Sequence, residues 1–193
     1  NIANRAIELD PNNRKGRVTY ARALAGVQGV ESGLDYLSRL VAQYPVVVDY
    51  RLALGRMYAE DERYSEAQKV FLQVIEMDPK PKEALIELGR VLRRQSALEP
   101  ALESFLRAAV LDPADADPLF EAGVMYLQIK KPQQALEQLR RVEKINPLYP
   151  LVYYYMGRAS LLAGKAAEAI EDAEKERQAN PKLAESYILA AEA

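Results

Sequence analysis

Residues 48–81 read VDYRLALGRMYAEDERYSEAQKVFLQVIEMDPKP, and residues 82–115 read KEALIELGRVLRRQSALEPALESFLRAAVLDPAD. The two stretches have the same length. Both carry Gly at position 8, Ala at position 20, Phe at position 24 and Pro at position 32. Their apolar residues recur every three or four positions, which is the spacing of a helix face and not the alternation of a strand. Each stretch therefore predicts a pair of helices.

The proline at position 32 sets a register that extends along the whole chain. Six prolines are spaced by 34 residues without insertion or deletion: Pro11, Pro45, Pro79, Pro113, Pro147 and Pro181. This register predicts full repeats at 14–47, 48–81, 82–115, 116–149 and 150–183, with the second helix of a truncated repeat at 1–13 and the first helix of another at 184–193. A period of this length indicates a solenoid, in which each repeat packs on its neighbours. We therefore predict one array over residues 1–193.

Small residues recur at two further positions of the repeat. Position 8 is occupied by Ala21, Gly55, Gly89, Gly123 and Gly157, and position 20 by Gly33, Ala67, Ala101, Ala135 and Ala169. A glycine inside a helix costs about 1 kcal/mol relative to alanine, so its recurrence needs a structural reason. Close approach of the two helices of a pair supplies one, with the two small positions facing each other.

A 34-residue helix pair with this set of positions resembles the tetratricopeptide repeat (TPR). The clearest copy carries Gly55, Ala67, Phe71 and Pro79, and the resemblance covers the whole chain. It implies an all-α fold, a right-handed superhelical solenoid of antiparallel helix pairs whose first helices line a concave groove. Family members typically bind peptides or protein segments there, so the resemblance implies a non-catalytic interaction scaffold or adaptor.

The first and last full repeats depart from the pattern. Repeat 14–47 has extra glycines, among them Gly26 and Gly29, and we expect its helix pair to be irregular or looser. Repeat 150–183 has Ser160 in place of a large residue and Glu176 at a position that is usually apolar. We expect its second helix to be less buried, or to face a partner.

The family's inner surface includes position 9, where arginines recur. Arg22, Arg56, Arg90 and Arg158 occupy it, and Val124 interrupts the series. A guanidinium can hold a carboxylate through two hydrogen bonds, so the functional interpretation is a row of sites for an acidic peptide or protein surface. The alternative is that the arginines stabilise the solenoid itself. Glu87 and Glu121 are expected to pair with Arg56 and Arg90.

Aromatic residues form a second set of candidates for partner binding. Tyr153, Tyr154 and Tyr155 are consecutive, and Phe120 lies at an inner position of the preceding repeat. Because consecutive helical residues point about 100° apart, we expect Tyr153 to pack inward, and Tyr154 and Tyr155 to face the groove near Arg158. The alternative for Tyr154 is packing between neighbouring repeats.

Composition argues against catalysis and against a nucleic-acid partner. The chain has no Cys and no His, so it lacks the residues that most often serve as metal ligands and general bases. With 26 basic and 28 acidic residues it also lacks the basic excess that binds phosphates along a nucleic acid. We predict no enzymatic activity, no cofactor and no metal site.

Two further expectations concern the compartment and the chain ends. The apolar runs fall well short of the roughly 20 residues of a membrane span, so we expect a soluble protein, with the cytoplasm slightly favoured. The pattern shows no polar capping helix at either end. The alternative function is therefore a structural or self-assembling segment that oligomerises through its end helices.

Overall fold

The computed structural model describes residues 13–181, and the regular structure of this range is entirely α-helical. Its helices are α1 (Arg14–Gln28), α2 (Val30–Gln43), α3 (Val48–Glu60), α4 (Tyr64–Met77), α5 (Lys82–Arg94), α6 (Leu98–Leu111), α7 (Ala116–Gln128), α8 (Pro132–Ile145), α9 (Val152–Leu162) and α10 (Ala166–Ala179). The helix predicted at 184–193 and Pro11 lie outside the described residues. So does the helix predicted at 1–13, apart from Asn13.

The helices group into two compact units, divided in the sequence between Ser96 and Ala97. In the first unit, helices α1 to α5 each pack on the next, and α1 also touches α3, as α3 touches α5. In the second unit, helices α6 to α10 also each pack on the next, and α7 touches α9. Each unit thus stacks antiparallel pairs on their neighbours. The single array over residues 1–193 stays a prediction.

The second helix of each pair ends immediately before a proline of the 34-residue register. Asp78, Asp112 and Asn146 are the last-turn caps, and their backbone N–H groups still donate into the helix. The proline that follows pushes each of these residues out of the α region. Their side chains then accept the N–H two residues ahead, at 2.9, 3.3 and 3.0 Å respectively. The asparagine or aspartate before proline therefore ends the helix and begins the turn.

Apolar faces of the helices bury a core in each unit. Leu34, Leu37 and Met57 belong to the core of the first unit. The core of the second unit includes Leu139 and Val142, at positions 24 and 27 of their repeat, and both side chains are fully buried. The apolar stripe of every third or fourth residue is thus the surface on which the helices of a unit pack, both within a pair and between pairs.

The space beside the position 8 glycine is filled by a large side chain of the second helix. A Cβ on Gly55 would lie 2.6 Å from Cε1 of Phe71, and one on Gly123 would lie 2.8 Å from Cγ of Leu139. Both contacts are shorter than packed carbon atoms allow. At these two glycines the side chain at position 24 therefore requires that no Cβ be present. The expected approach of positions 8 and 20 is seen in the first helix pair, between Ala21 and Gly33.

The first helix pair is irregular but not loose, which corrects part of the expectation for repeat 14–47. Its two helices are separated by Gly29 alone, whose φ of 94° lies in the region that glycine favours. A Cβ on Gly33 would lie 2.7 Å from the carbonyl oxygen of Ala21. The backbone of α1 therefore approaches α2 closely, and the missing side chain of Gly33 permits this approach.

The expectation of a less buried last helix is wrong at Glu176. Glu176 and Ser160 are both 0% exposed. The carboxylate of Glu176 is satisfied by two donors: the backbone N–H of Tyr154 at 3.2 Å and the side-chain amide of Asn180 at 2.7 Å. Because the N–H groups in the first turn of a helix have no partner within it, Glu176 supplies one for α9. A usually apolar position thus holds a buried polar group with its hydrogen bonds formed.

Candidate functional site

A groove of about 610 Å³ crosses the first unit and brings three predicted arginines together. Arg22 of α1, Arg56 of α3 and Arg90 of α5 line it because each occupies position 9 of a first helix and these helices lie side by side. The groove is also lined by Ala59, Glu60, Glu62, Tyr64, Glu87, Val91, Arg93 and Arg94. We call this site the arginine groove.

Arg56 is held by carboxylates of the next first helix. Its Nε donates to Glu87 Oε1 at 2.8 Å, the expected pair, and its Nη2 donates to Glu83 Oε2 at 3.1 Å. Partial burial works to lower the pKa of Arg56, but the hydrogen bonds and charges of Glu87 and Glu83 outweigh it and raise the pKa. Arg56 therefore stays charged and joins α3 to α5, which is the stabilising interpretation of this arginine.

The other two predicted arginines of the groove also lie beside glutamates. Arg90 Nη1 lies 3.7 Å from Glu87 Oε1, so Glu87 is shared between Arg56 and Arg90. Arg22 Nη2 lies 3.8 Å from Glu60 Oε1, and both side chains are more than half exposed. An exposed ion pair at this distance contributes at most about 1 kcal/mol. Arg22 can therefore exchange Glu60 for another carboxylate at little cost.

Positive charge exceeds negative charge in the arginine groove. Five arginines and three glutamates line it, and Arg94 is exposed with no ion pair inside the range 13–181. Arg93, Arg94 and Glu60 were not singled out from the sequence. They occupy positions 12 and 13 of their repeats and line the same groove as the arginines at position 9. Their spacing of three and four residues from position 9 is the sequence signal that points to them.

A smaller cavity of about 350 Å³ adjoins the arginine groove. Arg22 and Glu60 line both cavities, and the smaller one adds Asp61 and apolar walls from Ala25, Val30 and Met57. The Arg22–Glu60 pair thus stands where a charged cavity meets a more apolar one. A ligand that displaces Glu60 could place a carboxylate on Arg22 and an apolar side chain beside it.

The second unit places the predicted aromatic residues in one cluster, which we call the aromatic patch. The ring of Tyr155 lies 5.3 Å from that of Phe120 and 5.2 Å from that of Tyr154, with edge-to-face geometry in both pairs. The guanidinium of Arg158 lies 5.8 Å from the Tyr154 ring and 6.0 Å from the Tyr155 ring. These distances fit cation–π contact. Tyr149, 4.8 Å from Phe120, was not predicted as a member.

Members of the aromatic patch differ in how far their side chains are buried against the core. Phe120, Tyr153 and Tyr155 are partly buried against the core of the second unit, as expected for Tyr153. That Tyr155 faces a groove stays a prediction. Tyr154 is half-buried and is not part of that packing. Val124, which interrupts the arginine series, is buried at 7% exposure. Tyr154 and the exposed Arg158 are therefore the surface of the patch.

Within residues 13–181 the structure contains no group of three or more acidic, His or Cys side chains placed to hold a metal ion. Over the same range no helix is both long enough and apolar enough to cross a membrane. The predicted self-association through end helices concerns residues outside the described range.

Comparisons with known proteins agree with the repeat geometry. A family model of the tetratricopeptide repeat matches residues 18–67, 58–116 and 120–184. Similar solved structures include MamA, at 20% identity over 84% of this chain and 95% of that chain, with a TM-score of 0.77. YrrB, described as a TPR protein with an unusual peptide-binding site, matches at 20% identity over 97% of each chain, with a TM-score of 0.75.

A third similar structure is PilF of Pseudomonas aeruginosa, at 21% identity over 91% of this chain and 80% of that chain, with a TM-score of 0.76. No curated protein sequence matches the chain. At these identities the structural likeness shows the fold. The predicted fold class, an all-α solenoid of antiparallel helix pairs, is confirmed.

Proposed function

Because the chain belongs to the tetratricopeptide repeat family, we propose that it is a non-catalytic interaction module whose arginine groove binds an acidic segment of a partner protein. TPR proteins are protein-interaction scaffolds in general and bind protein or peptide partners. The observation that carries the proposal is the excess of arginine over glutamate in a groove of about 610 Å³. YrrB, described by its peptide-binding site, supports a peptide as the ligand.

The arginines divide into two roles within this proposal. Arg56, fixed by Glu87 and Glu83, shapes the groove wall and aligns the first helices. Arg22 and Arg94 bind the carboxylates of the partner protein. The ion pair of Arg22 with Glu60 is weak, and Arg94 is exposed. Tyr64 at the groove edge is half-buried and offers its ring as an amphipathic contact.

The aromatic patch belongs to the proposed interaction surface of the second unit. Tyr154 and Arg158 together present a ring and a guanidinium, the residue types that most often anchor protein interfaces. Tyr155 and Phe120 support them from beneath, at the edge of the core. We assign to the patch an apolar or aromatic side chain of the partner.

A binding titration tests the proposed role of the arginine groove. The probe is a fluorescein-labelled peptide of alternating Glu and Gly, with an alternating Gln and Gly peptide as the uncharged control. The double variant R22E/R94E should weaken binding of the acidic peptide about tenfold, the effect of losing about 1.4 kcal/mol. Helicity and the melting temperature should stay unchanged, since both side chains are exposed.

The control variant for this titration is R39E. Arg39 is exposed on α2 in the same unit and does not line the groove. It should bind the acidic peptide as the original chain does. Equal weakening by R39E, or full binding by R22E/R94E, would show that the groove is not the site.

A further inference from the structure

A second basic cavity lies on one face of α8, in the second unit. Its volume is about 390 Å³, and its lining residues follow helical spacing along α8 before ending at the N-cap residue of α10: Gln133, Leu136, Glu137, Arg140, Arg141, Lys144 and Lys165. Four of these seven side chains are basic and one is acidic. In the range 97–181 as a whole, acidic residues outnumber basic ones by 13 to 10. The cavity therefore concentrates positive charge in an otherwise acidic unit.

Two of the four cations share one carboxylate within the unit. Arg140 Nη2 lies 3.2 Å from Glu168 Oε2, and Lys165 Nζ lies 2.9 Å from Glu168 Oε1. One carboxylate thus fixes both cations. The contacts connect the rim residue on α8 to the start of α10.

The other two cations have no carboxylate partner among the described residues. Arg141 Nη1 donates to Oε1 of Gln138 at 2.8 Å, and Gln138 is a neutral side chain with 6% exposure. Lys144 is exposed one helical turn further along. The buried amide orients the guanidinium of Arg141 without neutralising it. Arg141 and Lys144 therefore present two uncompensated positive charges on adjacent turns of one helix.

The cavity also has an apolar component. Leu136 lines it and is 4% exposed, so it forms the floor while the basic side chains form the rim. A floor of this kind favours one apolar side chain, and a rim with two unpaired cations favours carboxylates beside it. This combination fits a short acidic segment of protein.

A nucleic acid fits the same surface less well. Duplex DNA carries a charge about every 1.7 Å of helix axis, and binding usually engages about 6 to 10 phosphates. Here four cations stand beside Glu137, and two of them are already held by Glu168. Such a surface would repel part of a continuous row of phosphates.

We propose that the α8 cavity is a second binding surface, which takes a protein segment bearing two carboxylates around one apolar residue. The proposal goes beyond the function assigned to the arginine groove, because it uses different residues in the other unit. Arg141 and Lys144 bind the carboxylates, Leu136 receives the apolar side chain, and Gln138 orients Arg141.

The test uses the full chain carrying R22E/R94E, so that binding of the acidic peptide at the arginine groove is weakened and is the same in every variant compared. The probe is a fluorescein-labelled peptide of sequence GGELEGG, and its uncharged counterpart is GGQLQGG. The charge reversal R141E/K144E should weaken binding of the acidic peptide about tenfold. The neutral variant R141Q/K144Q should weaken it less, and it keeps the test valid if the reversal disturbs α8.

The matched control is R107E/R177E, which changes the charge of the same unit equally. Arg107 and Arg177 are exposed and do not line the cavity. The control should bind GGELEGG within twofold of its parent. Equal affinity for GGQLQGG, unchanged affinity after R141Q/K144Q, or tighter binding of a duplex oligonucleotide than of GGELEGG would each overturn the proposal. Every variant is compared with the same R22E/R94E parent, so full binding by this parent counts against the arginine groove alone and leaves the result for the α8 cavity readable.

Discussion

Glu176 Oε2 accepts the backbone N–H of Tyr154 at 3.2 Å, across 22 residues of sequence. This hydrogen bond ties the last turn of α10 to the first turn of α9, the helix that carries Tyr154 and Arg158. The residue before α9, Leu151, has a φ of 64°, so the chain enters the helix through a turn that provides no side-chain cap. Glu176 therefore takes the role that an N-cap residue usually has.

Removing this remote cap should destabilise the second unit. E176A leaves the N–H of Tyr154 buried without its acceptor, and we expect the free energy of unfolding to fall by about 2 kcal/mol. E176Q keeps one carbonyl oxygen as an acceptor and should lose about half as much. Urea denaturation followed by circular dichroism gives both values. Stability of E176A equal to that of the original chain would show that the cap has no energetic role.

Titration of Asp172 should make the free energy of unfolding depend on pH. Burial raises the pKa of this carboxyl to about 6, although Lys175 and the Ser160 hydroxyl at 3.3 Å act to lower it. In the unfolded chain an aspartate titrates near pH 4 (about 3.9). Because the folded form holds the proton more tightly, the contribution of Asp172 to stability is full below about pH 4 and is lost as the pH rises to about 6.

The variant D172N should therefore be more stable than the original chain at pH 7.5, by about 1 kcal/mol after allowance for solvent screening. The asparagine carries no charge and keeps an oxygen that can accept from Ser160. Urea denaturation at pH 7.5 and pH 4.5 measures the difference, which should shrink at the lower pH. A difference of the same size at both pH values would contradict the account of Asp172.

Substitution of two helical glycines by alanine should change the stability in opposite directions. At Gly55 the added Cβ would meet the Phe71 ring at 2.6 Å, whereas at Gly26 nothing lies within 4 Å. We expect G55A to lose about 1–3 kcal/mol through overpacking and G26A to gain about 0.5–1 kcal/mol through helix propensity. Thermal and urea unfolding of both variants test this. Similar effects of the two substitutions would mean that Phe71 does not enforce the glycine.

Neighbouring tyrosines of α9 should differ in their energetic roles. Among residues 13–181, Tyr153 packs against the core of the second unit, whereas Tyr154 is not one of the side chains that pack on it. Y153A should lower the free energy of unfolding by about 2–3 kcal/mol, and Y154A by less than about 1 kcal/mol. The comparison is made by thermal unfolding of the two variants. A large loss for Y154A would assign Tyr154 to the scaffold and remove it from the proposed interaction surface.

The sequence predicts the helix pairs well because the same helix-ending residues and apolar spacing recur in several repeats. Each aspartate or asparagine before proline ends a helix, and each apolar stripe marks a packed face. Arg56 and Glu87 could be paired from the sequence because equivalent positions of adjacent repeats lie side by side. A periodic pattern therefore contains the contacts that recur between neighbours.

Contacts that occur once are not visible in the period. The burial of Glu176 depends on the unsatisfied N–H groups of α9, and an average over repeats at that position predicts an apolar residue. The spacing predicts that Gly55 faces the small residue at position 20. It does not show that the Phe71 ring fills the space beside Gly55. Arg94 was missed because its position carries different residues in other repeats. Side-chain direction and tertiary partners decide these cases.

The most direct test of the central claim, that the arginine groove binds acidic protein segments, is an NMR titration of arginine side chains. The Nε–Hε signals of the 21.7 kDa chain are assigned by single substitutions and followed as the alternating Glu and Gly peptide is added. The signals of Arg22 and Arg94 should shift saturably, while that of Arg39 stays in place. Saturable binding that leaves the Arg22 and Arg94 signals unshifted would contradict the account.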